Sequence, residues 1–253
     1  VRRRPDGPGR AGVLRRMGLV VGIVILAGAL YWLLSSRTFA VTRVESGSYR
    51  FTTEDELQVA LADLLGRNIW TLSRSEISEK LGPLPWVRDL EVRRRLPATL
   101  KVDFREWEPI LQVAAAGADQ RSGPLVMRQD GSLEPFPAHL PAPGLPVLTG
   151  LEPVREGDGG VWRLPPEQVA EILELVEAME DAGLETVCPV DFIVARPEGY
   201  GIVLQDRQGT LLVGREDFVA RLERFVVARD RLEPGIEVDL RFENRLTVRS
   251  SSD

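Results

Sequence analysis

The chain has 253 residues, of which 43% are hydrophobic and 28% are charged, a composition that is typical of a globular protein with a buried core. Residues 1–16 carry six arginines against one aspartate, a net charge of +5, so the overall charge of −6 leaves −11 for the remainder. A remainder of that charge has no excess of basic residues to offer nucleic acid, which argues against nucleic-acid binding.

An uncharged apolar stretch begins at Met17 and ends at Leu34. As an α-helix it would be ~27 Å long at ~1.5 Å per residue, close to the ~30 Å hydrocarbon thickness of a bilayer. Tyr31 and Trp32 lie near its far end, where aromatic rings favour the lipid headgroups. We interpret residues 17–34 as a single transmembrane helix that contacts membrane lipid. Because basic residues resist translocation, the tail of residues 1–16 is expected in the cytoplasm and the body outside it.

A cleaved signal peptide is the alternative interpretation of this stretch. The small residues Ala27-Gly28-Ala29 resemble a cleavage site that follows a basic region and a short apolar run. The chain would then be a secreted protein, and a secreted enzyme is one such case. The apolar run continues to Leu34, and this length favours the anchor. Sequencing of the mature N-terminus would separate the two interpretations.

The first segment after the anchor, residues 39–107, predicts the element order strand, helix, helix, strand, strand. Two Ser/Thr-x-x-Glu patterns are typical of capping boxes at helix starts, and they begin at Thr53 and Ser73. The strands are predicted at residues 39–44, 86–92 and 100–106. The basic run Arg93-Arg94-Arg95 is interpreted as a solvated strand edge, with at least one arginine at the rim of the core.

The second segment, residues 108–253, predicts a sheet with flanking helices. Asp130-Gly131 indicates a hairpin turn, and Pro165-Pro166 starts a long helix that Gly183 closes. The predicted apolar stripe of this helix consists of Val169, Ile172, Leu173, Val176 and Met179. The opposite face is interpreted as solvated and carries Glu171, Glu174, Glu177 and Glu180. Further strands are predicted at residues 110–115, 124–128, 187–194, 201–204 and 210–214, a linker at 157–160, a turn at 206–209 and a helix at 216–229.

The last apolar runs, residues 236–242 and 246–249, predict a terminal β-hairpin. We expect its final strand at a sheet edge, where unpaired backbone groups can recruit another strand. Arginines alternate with apolar residues here. The combination suits β-augmentation by an acidic peptide.

Several motifs resemble the FtsQ/DivIB family of cell-division proteins. They are GRNIW at 66–70, LPWV at 84–87, VRRRLPATLKV at 92–102, EWEP at 106–109, LVGR at 212–215, RLERF at 221–225 and VDLRF at 238–242. The resemblance implies an α+β protein with four parts: a cytoplasmic tail (1–16), a transmembrane helix (17–34), a POTRA domain of order β-α-α-β-β (39–107) and a mixed β-sheet domain with flanking helices (108–253). It also implies a bitopic protein of the cell inner membrane with a periplasmic body.

The resemblance implies a divisome scaffold that binds FtsB, paired with FtsL, through its last strands. Arg215 and Arg241 would meet acidic groups of that partner, while the POTRA domain would bind other divisome membrane proteins. The implied partner-binding residues are Arg215, Asp239, Leu240, Arg241, Phe242, Leu246 and Val248. The chain departs from the family where Asn244-Arg245 replace the usual glycine and where no tryptophan follows.

We find no residue pattern typical of an enzyme. His139 is the only histidine and Cys188 the only cysteine, so neither a metal-ligand set nor a nucleophile–base motif is recognisable, and no cofactor is expected. A POTRA-containing factor for export or outer-membrane assembly is a further alternative. It would call for repeated POTRA units or a barrel of alternating strands, and neither is evident in the sequence.

Overall fold

The computed structural model describes residues 10–114, 123–155, 162–205, 209–243 and 245–250. The chain divides into two compact units, Val1–Glu106 and Trp107–Asp253. The described residues combine helices with a three-stranded sheet and a larger mixed sheet, so the predicted α+β class is confirmed. The linker predicted at 157–160 and most of the turn predicted at 206–209 lie outside the described residues.

The apolar stretch forms one helix, α1, that spans Arg10–Leu34. It starts before the predicted anchor because the preceding residues, RAGVLRR, contain no proline and include the good helix formers Arg, Ala and Leu. Its portion Arg15–Leu34 is long and apolar enough to cross a membrane, and none of that portion is buried. Met17 and Trp32 have exposed side chains, as a lipid-facing helix requires.

The first unit contains a three-stranded sheet and two helices after α1. The elements are β1 (Arg43–Ser46), α2 (Glu54–Leu61), α3 (Arg74–Leu81), β2 (Val87–Arg95) and β3 (Thr99–Glu106). The strand order is β1-β3-β2, in which β1 runs parallel and β2 antiparallel to β3. The strand predicted at 39–44 is shifted, because Arg37–Phe39 form a 3-10 turn and Ala40 makes only an isolated bridge to Asn68.

The two predicted capping boxes differ in the structure. At α2 both halves form, since Thr53 accepts from the Glu56 backbone and the Glu56 carboxylate accepts from the Thr53 backbone. At α3 Ser73 accepts from the Glu76 backbone, whereas the Glu76 carboxylate pairs with Arg67. The buried faces of both helices cover the sheet, and the core of this unit includes Leu57, Leu61, Ile77, Leu81, Leu100 and Val102.

The second unit is built on one mixed sheet. Its strands are β4 (Leu111–Val113), β5 (Leu125–Met127), β6 (Ser132–Pro135), β7 (Val147–Thr149), β8 (Val154–Arg155), β9 (Trp162–Arg163), β10 (Val190–Arg196), β11 (Gly199–Leu204), β12 (Thr210–Gly214), β13 (Ile236–Asp239) and β14 (Thr247–Ser250). Their order is β14-β13-β12-β11-β10-β7-β4-β5-β6-β9-β8. Because the terminal hairpin pairs outward from β12, β14 lies at one end of the sheet.

The described part of the second unit also contains the α-helices α4 (Pro166–Asp181), α5 (Leu184–Val187) and α6 (Phe218–Ala228). The predicted apolar stripe of α4 is confirmed at Val169, Ile172 and Met179, which are buried. The strand predicted from residue 187 begins only at Val190, because residues 184–187 form α5. The core cluster gathers side chains from α4, α6 and the central strands, among them Leu175, Ile193, Ile202, Val213, Phe218 and Leu222.

Candidate partner-docking edge

The candidate site lies at the end of the large sheet that β14 forms. Among the strands that the structure describes, β14 has β13 as its one neighbour, with Glu237 opposite Arg249 and Val238 opposite Val248. Its outer backbone groups are therefore available for pairing with another strand. We use the name docking edge for β14 together with Arg241 and Phe242.

The predicted site residues on β13 and just after it differ in exposure. Asp239 is 2% exposed and Leu240 is fully buried, so both side chains belong to the interior of the unit. Phe242 is 40% exposed, and the Arg245 guanidinium lies 4.4 Å from its ring centroid. Arg241 lies between these environments and keeps 34% of its side chain exposed. Because Asp239 and Leu240 are buried, they can affect a partner only through the residues that they contact.

Asp239 holds Arg241 by three hydrogen bonds. Arg241 Nε donates to Asp239 Oδ1 at 2.8 Å, Nη2 donates to Oδ2 at 2.6 Å, and the backbone N–H donates to Oδ1 at 3.1 Å. This hydrogen bonding to Arg241 lowers the pKa of Asp239 from its ordinary value, and the same contact raises the pKa of Arg241. A guanidinium has five N–H donors, so Arg241 keeps donors for an acidic group.

Val248 and Leu246 are the predicted residues nearest to the sheet end. Val248 is 45% exposed. Leu246 is partly buried against the core cluster. Val248 therefore offers apolar surface at the docking edge, whereas Leu246 anchors the start of β14.

Arg215 follows β12 and pairs within its own chain. Its guanidinium bonds to the Glu171 carboxylate of α4 and lies 5.9 Å from the ring centroid of Tyr200. The Tyr200 hydroxyl also donates a hydrogen bond to the Glu171 carboxylate at 3.0 Å. Burial raises the pKa of Tyr200, and the contact with this carboxylate raises it further. Glu171 is therefore part of a polar cluster, and its interpretation as a solvated residue was wrong. Arg215 remains 48% exposed.

Gly214 allows the arginines on either side of it to approach. It has φ +84°, and a Cβ at this position would lie 2.5 Å from Arg221 Nη1 and 3.3 Å from Arg241 Cγ. Arg221 is 5% exposed and donates to the Val213 carbonyl at 2.7 Å. Arg241 therefore lies beside Gly214, the residue that precedes Arg215. The two arginines that were predicted to bind a partner thus lie in one region of the unit.

Sequence reasoning missed Arg224 of α6. Its Nη1 donates to the Phe242 carbonyl at 2.8 Å and also to the Glu243 carbonyl, and its Nη2 donates to the Leu240 carbonyl at 3.3 Å. The sequence shows it only as one arginine in the RLERF run, and no local pattern connects that run to the chain after β13.

The basic run of β2 contacts its own unit. Arg93 pairs with Glu91, Arg95 pairs with Glu45, and Arg94 donates to the carbonyls of Ile69 at 2.9 Å and Leu72 at 2.6 Å. Arg94 is thus the arginine at the core rim that the strand alternation predicts.

Glu106 at the end of β3 is held by backbone groups of the segment that precedes α2. It accepts hydrogen bonds from the backbone N–H groups of Arg50, Phe51 and Thr52 at 2.6 to 3.1 Å. In the described part of the chain, no group of three or more His, Cys, Asp or Glu is placed to hold a metal ion.

A protein-family model and several known proteins are similar in sequence to this chain. The model of the family described as "POTRA domain, FtsQ-type" matches residues 39–107. The cell division protein FtsQ of Shewanella oneidensis is 28% identical over 239 residues, which are 92% of this chain and 83% of that protein. FtsQ of Allochromatium vinosum is 26% identical over 243 residues (93% and 89%), and FtsQ of Neisseria meningitidis is 25% identical over 241 residues (93% and 92%).

Residues 39–107 therefore match a POTRA domain of the FtsQ type, and the one long apolar helix within the residues described fits a single-pass membrane protein. The chain is a relative of the FtsQ cell-division proteins over most of its length, which confirms the resemblance that the sequence motifs indicate.

Proposed function

We propose that this protein is a bitopic divisome scaffold that binds the FtsB/FtsL pair by strand addition at the docking edge. The observation that carries the proposal is the position of β14, which pairs with β13 alone among the described strands. An extended segment of FtsB can add its backbone hydrogen bonds there, while Val248 and Phe242 offer apolar contact.

Charge complements this backbone pairing. Arg241 is oriented by Asp239 and keeps donors on its outer side, and Arg215 is half exposed beside Glu171. A carboxylate of the partner could bind both the guanidinium of Arg241 and that of Arg215 if it approached near Gly214. In this arrangement Asp239 and Leu240 support the site from within the unit, and Leu246 fixes the start of β14.

The proposal extends to the topology of the chain. The charge of the tail favours a cytoplasmic N-terminus, with α1 crossing the inner membrane and residues 39–253 in the periplasm. The POTRA unit would then bind other divisome membrane proteins on that side. Labelling of an introduced cysteine in residues 1–9 and of one in β14 with a membrane-impermeant reagent tests the orientation.

The binding proposal is tested by co-purification of the full-length chain with FtsB/FtsL from detergent extracts. Charge reversal at Arg241 or Arg215 should weaken recovery of the pair by about ten-fold, since a charged hydrogen bond contributes about 1.5–3 kcal/mol. Arg93→Glu on β2 is the matched control and should leave recovery unchanged. Thermal melting checks that each variant is folded. Folded Arg241→Glu and Arg215→Glu variants that both recover the pair at the wild-type level would overturn the proposal.

A further inference from the structure

The connection between β13 and β14 is long for a hairpin. It spans residues 240–246, since β13 ends at Asp239 and β14 begins at Thr247. A two-residue turn fixes strand register by its own geometry, but a connection of this length does so weakly. A slip of one residue would turn every side chain of β14 to the opposite face of the sheet. The register of β14 must therefore depend on contacts outside the hairpin turn.

Arg224 makes such contacts from a neighbouring helix. Its guanidinium donates to three carbonyls of the connection, those of Leu240, Phe242 and Glu243. Its Nε donates to the Ala220 carbonyl in α6 at 3.2 Å, which fixes the orientation of the planar group. We use the name clasp for this set of hydrogen bonds.

The helix that carries Arg224, α6, is fixed by its packing in the core. Leu222 and Phe225 of α6 lie close to Arg224 in the sequence, and both are buried in the core cluster. The helix also follows β12 directly and precedes β13, so it is tied to the two strands next to the docking edge. Movement of the clasp relative to β13 would therefore require the buried side chains of α6 to change their packing in the core.

We propose that Arg224 is a positioning residue for the docking edge, which holds Arg241, Phe242 and the start of β14 in the register that receives a partner strand. The role rests on the proposed function, because it assigns Arg224 to the same binding site. Arg224 acts through the backbone of residues 240–243 and leaves the outer face of β14 to the partner.

The chemistry of arginine suits this role. One planar group with five donors can bond several carbonyls at fixed angles, whereas a lysine ammonium is a single point charge on a flexible stem. Methionine keeps a comparable stem and has no donor, so Arg224→Met removes the clasp with little change in packing. Arg231→Met, in the exposed 3-10 turn Arg229–Arg231, is the matched control.

The first measurement is amide hydrogen exchange of the full-length chain in detergent, without any partner. Loss of the clasp should speed exchange of the peptide that covers β14 by about ten-fold or more, as expected for lost charged hydrogen bonds. Exchange of β10 and β11 should stay at the wild-type rate, as should the whole pattern of Arg231→Met. Unchanged exchange of β14 in Arg224→Met would overturn the clasp.

The second measurement is the affinity of the same variants for purified FtsB/FtsL. We expect about ten-fold weaker binding for Arg224→Met, intermediate binding for Arg224→Lys and wild-type binding for Arg231→Met. Faster exchange of β14 with wild-type affinity would overturn the positioning role. If the wild-type chain itself does not bind the pair, the proposed function fails, while the exchange result still decides whether the clasp exists.

Arg224→Lys also covers the case in which Arg224→Met does not fold. Lysine retains the charge and can still reach one carbonyl, so this variant should fold and show a smaller increase in β14 exchange. Wild-type exchange and wild-type affinity in Arg224→Lys would then overturn the proposal.

Discussion

Two strands of this protein, β2 and β14, both lie at sheet ends, yet they differ in how far each edge is protected from strand addition. β2 has a register irregularity between Arg88 and Glu91, and its basic run is engaged by Glu91, Glu45 and two backbone carbonyls. β14 has four residues in regular register, and Val248 is exposed on it. Irregular pairing and local ion pairs protect an edge from strand addition, whereas a regular edge with exposed apolar surface invites it.

The comparison shows that the number of arginines in a strand does not predict its role. An arginine that pairs within its own unit can still be exposed: Arg93 and Arg95 are 65% and 64% exposed, and Arg241 is 34% exposed. The regularity of the edge, and not the arginines, therefore distinguishes β14 from β2. Substitutions at or near the two edges test this distinction between β2 and β14.

The largest effect is expected at the carboxylate that orients Arg241. Asp239→Ala removes three hydrogen bonds from a buried acceptor and should lower the free energy of unfolding of the second unit by about 2–4 kcal/mol. It should also weaken partner binding, because Arg241 loses its orientation. Chemical denaturation measures the first effect, with the exposed residue change Glu223→Ala as control. Stability equal to wild type would contradict the role of Asp239.

A smaller effect is expected on β2. Arg94→Met removes the donors to the Ile69 and Leu72 carbonyls and should destabilise the first unit by about 2–3 kcal/mol. Recovery of FtsB/FtsL should not change. Arg93→Met, which removes an exposed ion pair, should stay within ~0.5 kcal/mol of wild type in the same unfolding experiment. Loss of partner recovery in a folded Arg94→Met variant would break the distinction between the two edges.

Acid should reproduce part of the Asp239 effect. The pKa of Asp239 is lowered in the folded state by its hydrogen bonds to Arg241, so its stabilisation is present above the unfolded pKa of ~3.9 and is lost as the pH falls through the folded value. Wild type should therefore lose stability more steeply below about pH 4 than Asp239→Asn does. Denaturation midpoints of both chains across this range measure the difference. Parallel curves would contradict the lowered pKa.

The smallest effect on stability is expected for Val248→Lys. The side chain is 45% exposed, so a lysine there should change the free energy of unfolding by less than ~0.5 kcal/mol. It should nevertheless weaken FtsB/FtsL binding, because a lysine on an edge strand disfavours addition of a further strand. Arg95→Lys on β2 is the control with no expected change. Wild-type binding by Val248→Lys would show that the partner does not approach this face.

Local signals in the sequence predicted many of the elements well. The Thr53 capping box, the apolar stripe of α4 and the bounds of β12 follow from hydrogen bonding and periodicity within a few residues. The terminal hairpin is also confirmed in the structure, although its first strand is three residues shorter than predicted and its second strand is shifted by one residue. These features depend on near neighbours in the chain, and a single sequence contains that information.

Features set by distant partners could not be predicted in this way. Glu76 has the spacing of a capping residue, but Arg67 competes for its carboxylate. Glu171 belongs to a polar helix face, but Tyr200 and Arg215 reach it from the sheet. In the same way, the contacts of Glu106 with the N–H groups of residues 50–52 join positions more than fifty residues apart. Such pairs require knowledge of the tertiary structure.

The order of elements from β12 to β14 has a consequence for how recognition could change. The strand that flanks the hairpin, the helix that carries Arg224, and the hairpin itself form one uninterrupted stretch, residues 210–250. A recombination event with one crossover on each side of residues 210–250 would transfer this whole stretch, including Arg224 and the strands that it positions. Partner choice could thereby be exchanged between related chains without any substitution in the POTRA unit.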